Sequence, residues 1–541
     1  MGTRTSSIEG YVGRLSVAPG ERIPFHISTT AAHYRMEIAR LGRAREVVWE
    51  QEGLPGARHP VPSSASTRGC AWPVALEVEV PQAWRSGCYS VVLQGDEAGE
   101  CSSEMSFVVR SAHPGRDTSI LMQLTTNTYN AYNTYGGANL YRGPEGPARR
   151  VSFERPEARL PGLDGVYFFD LPDEVEEELD RGLISEQLQA IFQQRAEECR
   201  ISSIELTLHG EIFTHKAGRE WEIVDPFGAG PLSYQIKKQN GRIQVYNATS
   251  AGENGWRNWE YPFVAWAEGQ GYRMDFAVNA DLEFRPEILA SYKLVLSVGH
   301  DEYWSAPMRD HLEAFIGAGG NVAFFSGNAV YWQVRFEDEG RSMVCWKNHE
   351  QDPLYRTGDY RLLSTLWCHR LIGRPENQLT GVSFAYGGYS RFFDQFRDAP
   401  GGYTVHRPEH WIFAGTGLQE GDLLGVRDKI VSYECDGCDL EWRAGRPVPT
   451  CRDGTPESFQ ALATAPAALT SFDQSLEMMN AALYEEGAAK EHPQPGAAVL
   501  GLYERGGTVV TCGCTHWASG LRGNDPTVEQ ITRNILARLS V

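Results

Sequence analysis

The sequence contains no apolar run approaching the roughly 20 residues needed to cross a bilayer. Its start, Met1-Gly-Thr-Arg-Thr-Ser-Ser, lacks the apolar core of a secretory signal. It is also poor in positive charge: 50 Lys and Arg stand against 70 Asp and Glu, for a formal net charge of −20. Binding phosphates takes concentrated Lys and Arg, so a nucleic-acid surface is excluded along with a membrane span. The expectation is a cytoplasmic protein whose 11 cysteines are reduced thiols. On paper Cys435, Cys438, Cys451, Cys512 and Cys514 could assemble a zinc site. Only Cys435 and Cys438 have the usual spacing, however, and ordinary thiols are the default.

What is present is a globular composition, 41% hydrophobic, 22% charged and 11% aromatic, in 541 residues. That length calls for roughly two to four domains. From Glu9 to Arg110 short alternating or β-branched segments follow one another: Ile23–Ile27, Tyr34–Ala39, Ala75–Val80, Cys88–Leu93 and Met105–Arg110. With no helix between them they predict an immunoglobulin-like β-sandwich over residues 1–112. The polar stretch Ser111–Asp117 marks its boundary.

Strand and helix then alternate. Ser119–Leu124, Tyr272–Val278, Lys293–Val298, Asn321–Phe325 and Thr508–Cys512 read as strands, and Phe263–Gly271, Met308–Ile316 and Val528–Leu539 as helices. Over residues 113–541 this rhythm predicts a mostly parallel, doubly wound, Rossmann-like sheet. Between about 160 and 250 it is lost; helical patterns at Glu174–Asp180 and Ile184–Arg200 and scattered apolar runs suggest an insertion acting as a lid or an oligomer contact.

The most informative segment follows the strand at Lys293–Val298. It ends in Gly299, and His300, Asp301 and Glu302 come next without a gap. Ligands collect at the carboxyl ends of strands in open α/β sheets. A His and a carboxylate two residues apart there can bind a metal or move a proton. The bland reading makes Asp301 or Glu302 the cap of the helix near Met308. At the same sheet edge, the strand ending at Leu124 runs into a Gly- and Asn-rich loop carrying Tyr129, Tyr132, Tyr135 and Tyr141. Tyrosines in a loop are more often packing groups than ligands.

The order of motifs resembles the large, catalytic subunit of the N,N-dimethylformamidase family. The likeness is carried by Ile8–Tyr11 with Val17–Gly20, Ser86–Tyr89, the tyrosine loop, Gly299–Ser305, Phe325–Arg335, Tyr433–Asp436, Trp517–Leu521 and Thr532–Asn534. The resemblance implies a mononuclear iron, one Fe(III) per chain, held by Tyr132, Tyr141 and Glu302, with Tyr129 competing for the place of Tyr132. It also implies supporting residues at His300, Asn328, Lys347 and Glu434. Phenolate and carboxylate are hard anionic oxygen donors, which suit such an ion better than zinc. The expected activity is hydrolysis of a C–N amide bond in a small-molecule substrate, with a homo-oligomer or a small accessory subunit as the partners to expect. Two alternatives stay open. One is a metal-free hydrolase or transferase on an amidotransferase-like sheet, although Ser326 before Gly327 lacks the second glycine of a nucleophile turn. The other is a non-catalytic binding protein that kept the fold.

Overall fold

The computed structural model describes residues 7–95, 102–157, 255–470, 475–484 and 496–541, less 142, 144–145, 258, 392–395 and 397–398; between 158 and 254 it describes strands alone. Among these residues strands dominate, gathered in several sheets, and helices are few.

Ile8–Val12, Arg22–Thr29 and Leu76–Glu79 form a small antiparallel sheet. Ser16–Val17, Ser102–Val109, Gly87–Gly95, His33–Leu41 and Arg45–Pro55 form a larger one. Alternation puts every second side chain on one face. Ile23, Phe25 and Ile27 of one sheet therefore share a core with Tyr34, Met36 and Ile38 of the other. Phe25 meets Phe107 edge-on at 6.1 Å and Tyr89 stacks on Trp84 at 5.1 Å. All five segments expected as strands here overlap strands, with Ala75–Val80 one residue longer than its strand at each end and Met105–Arg110 at its last residue. Arg45–Pro55, the longest strand of these two sheets, was not expected: it is a mostly exposed edge strand full of charge.

The second large sheet has nine strands. Asp275–Val278, Ile120–Leu124, Leu294–His300, Asn321–Gly327 and Gly507–Thr511 lie side by side and parallel. Gly496–Arg505, Gln460–Ala467, Tyr403–Val405 and Leu423–Leu424 extend it antiparallel. The sheet is thus mixed, and the expected parallel arrangement describes only its first half. Strands covered on both faces must be apolar on both, and Leu294–His300 is buried throughout. Leu294, Leu296 and Val298 pack with Phe263 and Ile535 on one side, while Val295 packs with Leu312 and Phe315 on the other.

The insertion forms its own sheet, in the order Tyr167–Asp170, Arg242–Asn247, Tyr234–Gln239, Ser203–Leu208, Glu211–Lys216 and Glu222–Ile223. The helices expected at Glu174–Asp180 and Ile184–Arg200 lie outside the described residues. The N-terminal sheets are tied by ion pairs to two helices beside the nine-stranded sheet: Arg40 Nη2 to Glu268 Oε1 at 2.6 Å, in Glu260–Gly269, and Arg110 Nη1 to Asp281 Oδ1 at 3.4 Å, in Asn279–Phe284. No helix among the described residues is long and apolar enough to cross a membrane.

Asp301 is not a helix cap. The helix Ala306–Gly317 is capped by Ser305, whose Oγ accepts from the Met308 amide at 3.3 Å. Asp301 is instead buried beneath the sheet edge, where its carboxylate accepts from Ser297 Oγ at 2.8 Å, Gln123 Nε2 at 2.9 Å and Asn279 Nδ2 at 3.2 Å. It thus laces three neighbouring strand ends together. Asp301→Ala leaves those donors buried without an acceptor and should cost about 2–3 kcal/mol. Urea unfolding followed by tryptophan fluorescence measures this, and a loss below about 0.5 kcal/mol would mean that the donors find other partners.

Candidate active site

The site is built where the two central parallel strands end. Leu294–His300 runs one residue past Gly299, whose φ of 83° lies in the left-handed region; a Cβ there would come within 2.2 Å of the Trp259 side chain. Only glycine allows that approach. The chain then turns so that His300 and Glu302 are buried side by side, with His300 Nε2 3.5 Å from Glu302 Oε2. The neighbouring strand Asn321–Gly327 ends in Asn328, with φ of 48°, and Val330 follows with φ of 57°. Positive φ at a β-branched residue is a true outlier. The turn is held because Asp436 accepts from the amides of Asn328 and Ala329 at 3.0 and 3.1 Å and the Asp301 carbonyl accepts from the Val330 amide at 2.9 Å. Burial, opposed by those two amides, pushes the Asp436 carboxyl up to about 8.

Glu434 opens the strand Glu434–Gly437, which pairs with Ser383–Tyr389 outside the large sheet. Its carbonyl accepts from the Thr515 amide at 3.2 Å. A Cβ on Gly327 would lie 2.6 Å from that carbonyl, so this glycine is what lets the Glu434 segment sit against the sheet edge. Glu434 Oε2 then stands 2.7 Å from His300 Nε2.

The tyrosine segment is in part a helix, Thr126–Tyr132, and not a continuous loop. It carries Tyr129 and Tyr132 to different partners. Tyr129 donates to Glu260, whose carboxyl burial pushes up to about 7 against the bonds from Tyr129 and Thr125. Tyr132 instead stacks on Tyr141, ring centroids 4.5 Å apart, and its hydroxyl lies 2.8 Å from that of Tyr141. The chain returns through Asn139, whose amide donates to the Tyr132 carbonyl at 2.8 Å and accepts from the Tyr141 backbone amide at 2.8 Å. Tyr141 Oη lies 3.0 and 3.3 Å from the Glu302 oxygens.

Lys347, at φ of 57° beyond the strand Ser342–Val344, places its Nζ 3.1 Å from the Tyr141 ring centroid. The structure therefore brings together Tyr132, Tyr141, Glu302, His300, Asn328, Glu434 and Lys347, and places Tyr129 elsewhere. Burial lowers the Lys347 ammonium to about 8, against the pull of Cys345 and Glu302. Burial also disfavours the His300 cation, but Glu434 and Glu302 overcome this and raise it to about 9. Burial and the Glu302 charge hold the Tyr132 and Tyr141 phenols well above their ordinary value.

These groups fit a hard cation by donor chemistry and spacing. Oxygens bound at about 2 Å to one ion stand roughly 2.8–3.3 Å apart, the separations seen from Tyr132 to Tyr141 and from Tyr141 to Glu302. Among the described residues no three His, Cys, Asp or Glu side chains could hold a metal, so any such ion would depend on the phenols. Cys435, Cys512 and Cys514 are buried thiols, and Cys451 faces the carbonyls of Pro449 and Pro456 instead. Ser326 Oγ pairs with Ser297 Oγ at 3.1 Å inside the sheet, away from the histidine, which disfavours a serine nucleophile.

Several residues of the site were not singled out by sequence. Trp259 and Tyr433 flank His300 at 6.5 and 6.3 Å, and His516 bridges these two rings at 4.6 and 6.2 Å. Tyr303, directly after Glu302, bonds to Tyr141. Its adjacency to the His-Asp-Glu run was the one available signal.

A family model described as N,N-dimethylformamidase beta subunit-like, C-terminal, matches residues 31–186 and 210–530. The N,N-dimethylformamidase beta subunit of Alcaligenes sp is 31% identical over 206 residues, covering 34% of this chain and 25% of that protein. The beta subunit of Paracoccus aminophilus is 25% identical over 307 residues, covering 52% of this chain and 37% of that one. The matches thus span well under half the length of either relative. Among solved structures, Spo0M, sporulation control protein, from Bacillus subtilis aligns with a TM-score of 0.15 and 12% identity over 21% of this chain and 52% of its own, too little to bear on fold. One expectation is corrected: the likeness is to the beta subunit by name, in the family model and in both relatives, and not to a large catalytic subunit.

The left-handed backbone at Asn328 makes its own prediction. Asn328→Gly and Asn328→Ala both remove the amide that lies 3.3 Å from Glu302 Oε1, but only alanine is strained at φ of 48°. The alanine variant should be less stable than the glycine variant by about 1 kcal/mol. Equal unfolding midpoints would show that the turn relaxes at no cost.

Proposed function

We propose that this chain, which belongs to the N,N-dimethylformamidase beta subunit-like family, hydrolyses a C–N amide bond in a small molecule at the site around Glu302. The observation that carries the reading is the convergence, in one cluster, of two half-buried phenols and a half-buried lysine with two carboxylates and a histidine that are buried, all drawn from separate elements. Tyr132, Tyr141 and Glu302 would hold one Fe(III). Such a cation polarises a carbonyl or lowers the pKa of water towards neutrality.

The chain's own groups do the rest. Glu434 takes a proton from the attacking water and, with His300 at 2.7 Å, passes it to the leaving nitrogen. Water adds to the carbonyl carbon, the C–N bond breaks, and an acid and an amine leave. The Asn328 amide donates to the oxygen on which negative charge develops. Asn328 Oδ1 is buried with no hydrogen-bond partner among the described residues and can accept from the water or the substrate N–H. Trp259 and Tyr433 narrow the space beside His300 and limit access of bulk water.

The same reading extends to architecture and context. We take residues 1–112 as an immunoglobulin-like sandwich; the Tyr89 hydroxyl bonding back to the Arg85 carbonyl at 2.7 Å supports this. Residues 113–541 are then a Rossmann-like, amidotransferase-like domain carrying the insertion at 160–250, in a cytoplasmic enzyme. The relatives' designation as beta subunits supports an accessory subunit or further copies as partners.

The purified protein should bind about one iron per chain and be coloured, because phenolate bound to Fe(III) absorbs visible light. Tyr132→Phe or Tyr141→Phe should abolish both colour and iron with the fold retained; a colourless parent with stoichiometric zinc would remove the assignment. Glu434→Gln tests the proton transfer separately. Iron should stay near the parent level while turnover of an accepted amide falls about 10²–10⁴-fold. Iron loss in this variant would make Glu434 a ligand or its support, and full activity would take it out of the mechanism.

A further inference from the structure

We infer that Tyr303 is a positioning residue for Tyr141: by donating a hydrogen bond to its oxygen, Tyr303 makes the two phenol ligands electronically unequal. The inference rests on the reading of Tyr132, Tyr141 and Glu302 as the holders of an Fe(III).

Tyr303 is fully buried in the short strand Tyr303–Ser305, one residue beyond Glu302. Its hydroxyl lies 2.7 Å from Tyr141 Oη, and its carbonyl is held by Asn127 Nδ2 at 2.9 Å, so both ends of the residue are fixed. Tyr132 also lies within hydrogen-bond distance of Tyr141, at 2.8 Å. The two neighbours differ in what they can do once the site is loaded. Tyr132 would give its oxygen to the cation and so lack the proton with which it could donate. Tyr303 has no such role and still donates to Tyr141. Lys347 acts in the same direction, since its Nζ stands 3.1 Å from the Tyr141 ring centroid and 5.9 Å from that of Tyr303. A phenolate that receives a hydrogen bond and faces an ammonium releases less electron density to a bound cation than one that does neither. Tyr141 is therefore the weaker donor and Tyr132 the stronger, although both are tyrosines.

The test uses the full chain with Tyr303→Phe, which keeps the ring in its packed place and deletes only the hydroxyl. The readouts are the visible absorption band of the iron-loaded protein and its iron affinity by competition with a chelator. Tyr129→Phe, which deletes the phenol bonded to Glu260, is the control. With the donor gone, the Tyr141 phenolate gives up its electron at lower energy. The band of Tyr303→Phe should therefore move to longer wavelength; the Tyr141 phenol that has lost its donor also holds its own proton more tightly against the metal, so the apparent iron affinity at neutral pH should fall about 10–100-fold. Tyr129→Phe should keep the parent band. An unmoved band in Tyr303→Phe, whatever its iron affinity, overturns the inference while leaving the metal reading intact, because the parent is coloured. A parent that takes up no iron and shows no band overturns that reading, and the inference with it.

Discussion

A carboxylate buried away from water must be given opposite charge or hydrogen bonds, and Glu302 sets that requirement for everything around it. Burial pushes its proton affinity up, while His300 and Lys347 pull it down. Tyr141 reaches its oxygens from one side and the Asn328 amide from another. Its own backbone amide donates to Thr128 Oγ1 at 3.1 Å, and its carbonyl accepts from the amides of Tyr331 and Trp332 at 2.8 Å. Remove Glu302 and the lysine, the histidine and the phenols would each be buried without their shared counterpart. The site is thus a single electrostatic unit, and its members are not interchangeable one at a time.

The sheet makes this unit affordable. Parallel strands leave their last carbonyls and the following turns at one edge, and here that edge is filled from four directions. The helix Thr126–Tyr132 comes from the first strand, the His300 turn from the next, and the Asn328 turn from its neighbour, while Glu434 arrives from a separate pair of strands. Backbone strain at Asn328, Val330 and Lys347 is concentrated at the same place, as expected where surrounding bonds over-determine an unfavourable conformation.

Sequence made the parallel strands legible because each is a short run of β-branched and aliphatic residues buried on both faces, as in Val295–Val298. It also made two residues of the candidate site legible, since His300 and Glu302 follow such a strand without a gap, whereas Tyr132, Tyr141, Asn328, Lys347 and Glu434 were reached only through the resemblance. The charged strand Arg45–Pro55 escaped because an edge strand exposed at most of its positions has neither clean alternation nor an apolar run. The antiparallel strands Gln460–Ala467 and Gly496–Arg505 escaped because alanine and glycine fill many of their positions, and these residues carry little strand preference. Tyr129 and Tyr132 could not be told apart by pattern, being three residues apart in one polar stretch. The helix turns one to Glu260 and the other to Tyr141, and only the placement of Glu260 from a distant element separates them. Asp436 was read as part of a motif without a task, and its hold on two amides is visible only once the strand end is in place.

The strand Gly507–Thr511 sits beside Asn321–Gly327 at the centre of the sheet, and the residues just after it fasten the Glu434 segment to that sheet edge. Roughly 190 residues separate Gly327 from Thr515, which at about 5–20 residues per second is on the order of 10–40 seconds of synthesis. Throughout that interval the Asn321–Gly327 strand has emerged from the ribosome with one edge unpaired. Synthesis of Gly507–Thr515 thus decides when the middle of the sheet can close. A nascent chain of this kind needs its exposed edge shielded until Thr515 has been made, and a stop before Gly507 would remove the strand at the centre of the sheet.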